Sequence, residues 1–230
     1  MIGQKLIEAA GNGISTGEVA EAIDFDGTND YLRRTSDLTG NTNGKTFTIS
    51  FWVWIPTGAS QGTIYAGGYS TYYGLNIYFN GGYINIDGAR ETFGSNVFSW
   101  SSPLLPFDTW INVVLSFDLS NASLRSSYIN DVAGGSFGTY QNYNLFMAQA
   151  KHYVARQDAP AYYAKARISN LFLDYTYRDL SITANRRLFV TADLKPADGQ
   201  ASLNPILYLP MNDPTAPGAN AGTGGDFTLT

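Results

Sequence analysis

The stretch from Lys45 to Ile55 reads KTFTISFWVWI and decides the fold class. Its apolar residues occupy every second position from Phe47 to Ile55, and the positions between them hold hydroxyl residues followed by Trp52 and Trp54. Side chains alternate between the two faces of a strand, so a period of two over this length predicts a β-strand with one buried face. The two tryptophans predict that the other face is also covered, or that it binds a partner.

Similar alternation recurs along the rest of the chain, at residues 75–79, 111–119, 166–177 and 205–211. Gly81-Gly82 stands between two alternating runs and predicts a tight hairpin turn. Many short strands at this spacing predict an all-β sandwich or barrel. One short helix is expected at 181–190, where Ser181 would cap it and Phe189 would face the sheet.

Composition and charge argue against several classes of function. The 230 residues carry a net charge of −5, 14% of them are charged, and none is cysteine. Nucleic-acid binding needs clustered Lys and Arg, whereas the basic residues here are scattered. No apolar run reaches the roughly 18 residues of a membrane span, and residues 1–11 lack the apolar stretch of a signal peptide. We therefore expect no nucleic-acid partner, no membrane insertion and no export by this sequence alone.

Several segments, in chain order, resemble the strands of laminin-G-like domains of the concanavalin A-like lectin/glucanase group. They are IDFDGTNDYL at 23–32, TFTISFWV at 46–53, DTWINVVLSFD at 108–118, YIND at 128–131, and the strand at 167–178 followed by Leu180-Ser181. Asp131 stands where this group usually has glycine. The resemblance covers about residues 22–212 and implies a two-sheet antiparallel jelly-roll β-sandwich over residues 21–213.

The two ends of the chain resemble the termini of structural proteins from tailed bacteriophages. The similar stretches are MIGQKLI at 1–7 and DPTAPGANAGTGGDFTLT at 213–230. This resemblance implies an N-terminal docking arm at 1–20 and a Gly/Pro-rich C-terminal arm at 214–230. Phe227 and Leu229 alternate as an added strand on a partner chain would require. The alternative is a frayed terminus.

Catalytic groups are scarce. Glycoside hydrolases on this fold need two carboxyl groups on one face, and the four glutamates, Glu8, Glu18, Glu21 and Glu91, supply no strand with two. The single histidine, His152, follows Lys151 in a Gln- and Ala-rich stretch and is expected in a surface loop. We predict no catalytic residues and no enzymatic activity.

Calcium is the one cofactor that the sequence suggests, since it takes carboxylate and amide oxygens. The candidate ligands are Asp87, Asp118, Asn130 and Asp131. The alternative is that these side chains form Asx-turns and strand-end caps.

Aromatic residues in loop-like segments are the candidate ligand-binding residues. They are Tyr69, Tyr72, Tyr73, Trp100, Tyr140 and Tyr143. Flat rings beside Asn, Ser and Thr suit sugar binding, because they give contact area at low entropic cost. The same composition also suits a buried interface between subunits.

Together these features predict a non-catalytic module on the surface of a phage virion. It would decorate the capsid or form part of a head or tail fibre, dock to other virion proteins through its terminal arms, and attach to a host-surface glycan as a homo-oligomer. The alternatives are a free carbohydrate-binding lectin and, third, a glycan hydrolase using Asp24, Asp87 or Asp118.

Overall fold

A computed structural model describes residues 21–69, 72–90, 95–158 and 162–230, and the predicted docking arm at 1–20 lies outside this part. An α-helix, α1, spans Thr183–Arg186, and a 3₁₀ helix spans Gln200–Leu203. The strands are β1 Ile23–Asp26, β2 Leu32–Arg34, β3 Thr46–Trp54, β4 Gln61–Tyr69, β5 Tyr72–Asn80, β6 Tyr83–Ala89, β7 Asn96–Ser101, β8 Trp110–Asp118, β9 Arg125–Ile129, β10 Val132–Ala133, β11 Ser136–Tyr140, β12 His152–Val154, β13 Lys165–Asp174, β14 Leu207–Leu209 and β15 Thr228–Leu229.

The strands form two antiparallel sheets. The seven-stranded sheet has the order β1-β13-β3-β8-β9-β10, with β14 also paired to β13, and the eight-stranded sheet has the order β11-β7-β6-β5-β4-β12-β2-β15. The inward residues of both sheets join one buried apolar cluster. The predicted all-β, two-sheet sandwich is confirmed.

Strand β3 supplies the centre of the core, as its alternation predicts. Phe47, Ile49, Phe51 and Val53 are all buried, and β3 pairs with β8 along its whole length. On the other face Trp52 is buried, and Trp54 lies under the Arg167 guanidinium at 4.3 Å. The outer face of the seven-stranded sheet is therefore covered at this point.

A second apolar layer covers another part of that outer face. Val114, Phe172 and Tyr208 of the sheet pack with Leu180 and Phe189, and the rings of Phe172 and Phe189 lie 5.0 Å apart. The helix in this covering segment is shorter than the predicted 181–190, and Ser181 does not cap it, since the N-cap residue is Ile182. Asp179 Oδ1 accepts from both N–H and Oγ of Ser181 and holds a turn before the helix, and residues 187–189 form a turn after it. Phe189 faces the sheet as predicted.

The C-terminal segment closes an edge of the eight-stranded sheet. Strand β15 pairs with β2 of the same chain, the Thr230 N–H donates to the Tyr31 carbonyl at 3.0 Å, and Phe227 is only 6% exposed. This corrects the predicted C-terminal arm at 214–230. The strand addition expected with a partner chain occurs within the chain, because the edge strand β2 offers unpaired backbone groups to it.

A buried polar group ties β4, β12 and the loop after β2 together. His152 is fully buried in β12, with Nδ1 2.8 Å from the Tyr65 hydroxyl and Nε2 3.1 Å from Asp37 Oδ1. The expected surface-loop position of His152 is therefore wrong. Burial lowers the pKa of His152, although hydrogen bonding to Asp37 opposes this change. Tyr65 is buried too, whereas the Asp37 side chain is 38% exposed.

Phe227→Ala tests whether the C-terminal segment belongs to the folded domain. Because the ring is buried against the core, we expect the free energy of unfolding to fall by about 3 kcal/mol in urea titrations. The control is Thr228→Ala, an exposed neighbour, which should cost less than about 0.5 kcal/mol. Equal stability of Phe227→Ala and the parent would contradict intrachain packing.

His152 predicts an acid-sensitive stability. Its folded-state pKa lies below the unfolded value of about 6.5, so the unfolded chain binds the extra proton. The stabilisation is complete above about pH 6.5 and is lost as the pH falls below it. Between pH 7 and 5 the parent should lose about 1 to 2 kcal/mol more than His152→Gln in urea unfolding. Identical losses in the two proteins would refute this role of the histidine.

Candidate functional site

The outer face of the eight-stranded sheet carries polar and aromatic side chains. In β6, Ile84 and Ile86 are buried in the core, whereas Tyr83, Asn85 and Asp87 alternate with them and point outward. Because opposite residues in paired strands share a face, the residues that pair with these three in β5 and β7 lie on the same surface. These partners are Asn76, Tyr78 and Asn80 of β5 and Ser99 and Ser101 of β7.

A cleft of about 500 Å³ opens on this face at the end formed by β5, β6, β7 and β11. It is lined by Asn80, Tyr83, Asn85, Ser101, Ser102, Pro103, Gly135 and Ser136. The lining consists of amides, hydroxyls, small residues and one aromatic ring, without any charged side chain. Its size falls in the range of small-ligand sites.

Glycines shape the cleft. Gly81 and Gly82 both have positive φ, so the chain reverses tightly and places Asn80 beside Tyr83. A Cβ on Gly82 would lie 2.9 Å from Leu104, which shows how closely the 102–107 segment packs against the turn. On the opposite side, Gly135 has φ +86° and lies directly on the Trp100 ring, where a side chain would clash.

Hydrogen bonds fix the polar lining. The Ser101 hydroxyl donates to Asn85 Oδ1 at 2.7 Å, so the Asn85 amide is held with its Nδ2 group still available as a donor. The Ile84 N–H donates to Ser102 Oγ at 2.9 Å. Beside these groups the Tyr83 ring is 45% exposed. The cleft can therefore offer an aromatic surface next to hydrogen-bonding groups that are already oriented.

Asp87 lies on the same face, outside the cleft lining. Its Oδ2 accepts a hydrogen bond from the Tyr78 hydroxyl at 3.1 Å. Burial raises the pKa of Asp87 and, together with that carboxylate, raises the pKa of Tyr78 to about 12. The pair is thus a sheet-surface hydrogen bond rather than part of an acidic cluster.

The four predicted calcium ligands are not brought together. Asp87 is in the eight-stranded sheet. Asp118 ends β8, whereas Asn130 lies beside Asn112 near the start of β8. The rise per residue of a strand puts Asp118 and Asn130 about 20 Å from each other. Asp131 bonds Arg187 at 2.7 Å and Arg186 at 2.6 Å, which lowers the pKa of its carboxyl group. Among the described residues no group of three or more acidic or histidine side chains could hold a metal ion.

The predicted ligand-binding aromatics also have different positions. Trp100 is 1% exposed and its Nε1 donates to Ser127 Oγ at 3.0 Å, so its prediction as a binding residue is wrong: an inward position in β7 places it in the core. Tyr140 packs against the core and donates to the Leu119 carbonyl, whereas Tyr143 is 50% exposed beside Arg90.

The remaining three tyrosines lie near the hairpin between β4 and β5. Tyr73 is half-buried, and Tyr69 pairs with Tyr72 across the hairpin, with the side chains of those two outside the described part. The cleft residues Asn80, Tyr83 and Asn85 were not predicted as ligands. The sequence signal for them was the Gly81-Gly82 hairpin, which sets these polar residues side by side on one face.

No helix in the described ranges is long and apolar enough to cross a bilayer.

Comparison with known proteins identifies the family. A laminin G family model, described as the concanavalin A-like lectin/glucanases superfamily, matches residues 26–173. No curated protein sequence matches the chain significantly.

Solved structures share the fold at low sequence identity. A candidate carbohydrate-binding protein from Bacteroides ovatus has a TM-score of 0.62 at 14% identity, over 90% of this chain and 57% of that one. The heptameric SAP-like pentraxin of Limulus polyphemus has a TM-score of 0.52 at 14% identity, over 73% of this chain and 80% of that one.

Domains LG4-5 of the mouse laminin α1 chain have a TM-score of 0.51 at 17% identity, over 77% of this chain and 48% of that one. The chain thus spans only about half the length of the Bacteroides and laminin chains. Because the family model matches more than half of the 230 residues, the chain belongs to the concanavalin A-like lectin/glucanases superfamily.

Proposed function

We propose that this protein is a non-catalytic carbohydrate-binding module and that a sugar binds in the cleft around Tyr83. The composition of the cleft carries the proposal: an exposed ring stands beside amide and hydroxyl groups, and no charged side chain lines it. A sugar presents apolar C–H faces and many hydroxyls, which this combination of stacking surface and hydrogen-bonding groups matches.

The absence of carboxyl groups from the cleft lining supports a binding role over hydrolysis. Glycoside hydrolases need two carboxyl groups about 5 to 10 Å apart across the scissile bond. The cleft lining has neither, and neighbouring Asp87 is hydrogen-bonded to Tyr78. The fold similarity to a candidate carbohydrate-binding protein agrees with the proposal.

Tyr83→Ala tests the cleft. On a glycan array, we expect this variant to lose at least about tenfold in affinity for any bound sugar, since truncating a residue that acts as a binding hot spot costs about 2 kcal/mol or more. Its thermal midpoint should stay near that of the parent, because the ring is half exposed.

Tyr143→Ala is the matched control, since Tyr143 is an equally exposed tyrosine outside the cleft lining. Tyr143→Ala should bind sugar like the parent. A chelator should not change binding by either protein, because the oxygens of the candidate calcium ligand Asp131 already bind Arg186 and Arg187. Loss of binding in Tyr143→Ala but not in Tyr83→Ala would contradict the cleft as the sugar site.

We further propose that the module works on the surface of a tailed-phage virion, in several copies that add avidity for a host-surface glycan. The resemblance of residues 1–7 and 213–230 to phage termini supports this context. Since 214–230 packs into its own sandwich, we assign docking to residues 1–20 alone.

Deletion of residues 1–20 tests this docking role. We expect the shortened protein to keep its β-sheet circular dichroism spectrum and yet to be missing from purified particles. Deletion of 214–230 should instead lower the thermal midpoint, because it removes Phe227 from the core. Incorporation of the shortened protein at the normal copy number would rule out docking through 1–20.

A further inference from the structure

We propose that Arg156, held among three tyrosine rings, is a second recognition site that binds an anionic group of the glycan, a carboxylate or a sulfate. The inference rests on the proposed function and specifies its ligand as an acidic oligosaccharide.

The tyrosines hold Arg156 in a defined place. Its guanidinium carbon lies 4.6 Å from the ring centroid of Tyr31, 5.4 Å from Tyr163 and 5.6 Å from Tyr153. Tyr31 packs in turn on Tyr163 at 5.9 Å and on Tyr153 at 6.2 Å. A guanidinium fixed in this way loses little further entropy when it binds a ligand.

The hydrogen-bonding capacity of Arg156 is not used up inside the protein. Its Nε is buried and has no partner among the described residues. The oxygens of neighbouring Asp158 have other hydrogen-bond partners, since Oδ1 accepts from the Tyr153 hydroxyl at 2.7 Å and Oδ2 lies 3.2 Å from Lys151 Nζ. Despite burial, the pKa of this carboxyl group is lowered by these hydrogen bonds and, at longer range, by the Arg156 charge. Arg156 is only partly buried, and rings that pack against a guanidinium leave its edge free for hydrogen bonds in the guanidinium plane. An oxyanion that approaches in that plane can accept two parallel hydrogen bonds.

Local charge favours an anion here, although the whole chain carries −5. Arg156 and Lys151 accompany the single carboxylate of Asp158, and the exposed Arg33 lies directly opposite Tyr153 in β2. The cleft around Tyr83 has no charged lining. The face therefore combines a neutral sugar site with a basic one.

The two sites share one face at a distance that suits an oligosaccharide. Residues that pair directly across neighbouring strands share a face of the sheet. Tyr153 pairs with Ala66 of β4, Ala66 with Asn76 of β5, and Asn76 with Asp87 of β6. Tyr153 therefore points to the same side as Asp87 and the cleft residues. Strand β12 is three positions from β6, which corresponds to about 14 Å across the sheet. Tyr83 lies four residues along β6 from Asp87, about 13 Å further along the strand, so the two sites are about 19 Å apart. One monosaccharide cannot reach both sites, whereas a short chain of sugars can.

The test is a glycan array that carries each sugar backbone in neutral, carboxylated and sulfated forms, probed with the full chain. We expect the charged forms to bind at least about tenfold more tightly than their neutral counterparts, in line with one bidentate charge-assisted contact. Arg156→Gln should abolish this preference and leave the binding of neutral forms unchanged. The carboxylated and sulfated arms show which anion is preferred.

Lys165→Gln is the matched control, because it removes the same charge from an exposed position on the other sheet. It should keep the preference. If thermal unfolding shows that Arg156→Gln is not folded, Arg156→Lys serves instead, and it should lose most of the preference because it lacks the planar fork.

Equal binding of neutral and charged forms would overturn the anionic site and leave the Tyr83 cleft standing. A preference that survives in both Arg156 variants would also overturn the assignment to Arg156. Failure of every form to bind would instead overturn the proposed function itself.

Discussion

The stacking of β3 and β8 against the eight-stranded sheet is the constraint on which the rest of the molecule depends. Each sheet must turn one apolar face inward, and the outer face of the seven-stranded sheet is then covered again by Leu180 and Phe189. The outer face of the eight-stranded sheet retains its polar alternation, with exposed Tyr83 and a hydroxyl- and amide-lined cleft. The part of this face formed by β5, β6 and β7 is thus left for recognition, whereas Ala66 and Tyr153 on the same face are buried.

The edge of the eight-stranded sheet at β12, β2 and β15 contributes both to the stability of the fold and to the geometry of the outer face. Strand β15 completes the sheet next to β2, and the buried His152 holds β12 to β4 and to Asp37. These contacts position Tyr153, whose ring helps to hold Arg156. The same residues that close the fold on this side therefore set the geometry of the proposed anionic site.

Local periodicity in the sequence predicted the fold, but it did not predict contacts between residues far apart in the chain. The alternation at 45–55 correctly placed Phe47 and its neighbours in the core. The sequence could not show that Phe227 returns to pack beside β2, since that contact joins residues far apart in the chain. For the candidate site, an aromatic residue alone does not reveal its face: Trp100 looked like a loop ligand but points inward, whereas Tyr83 points outward from the predicted hairpin. His152 was misplaced for a similar reason, because its partner Asp37 is distant in sequence.

The most direct test of this account is a crystal structure of the protein with a bound oligosaccharide identified by array screening. We predict that the sugar lies across the outer face of the eight-stranded sheet, with one unit against Tyr83 and Asn85 and an acidic substituent on Arg156. A sugar bound on the seven-stranded sheet, or at the loop around Tyr143, would contradict it.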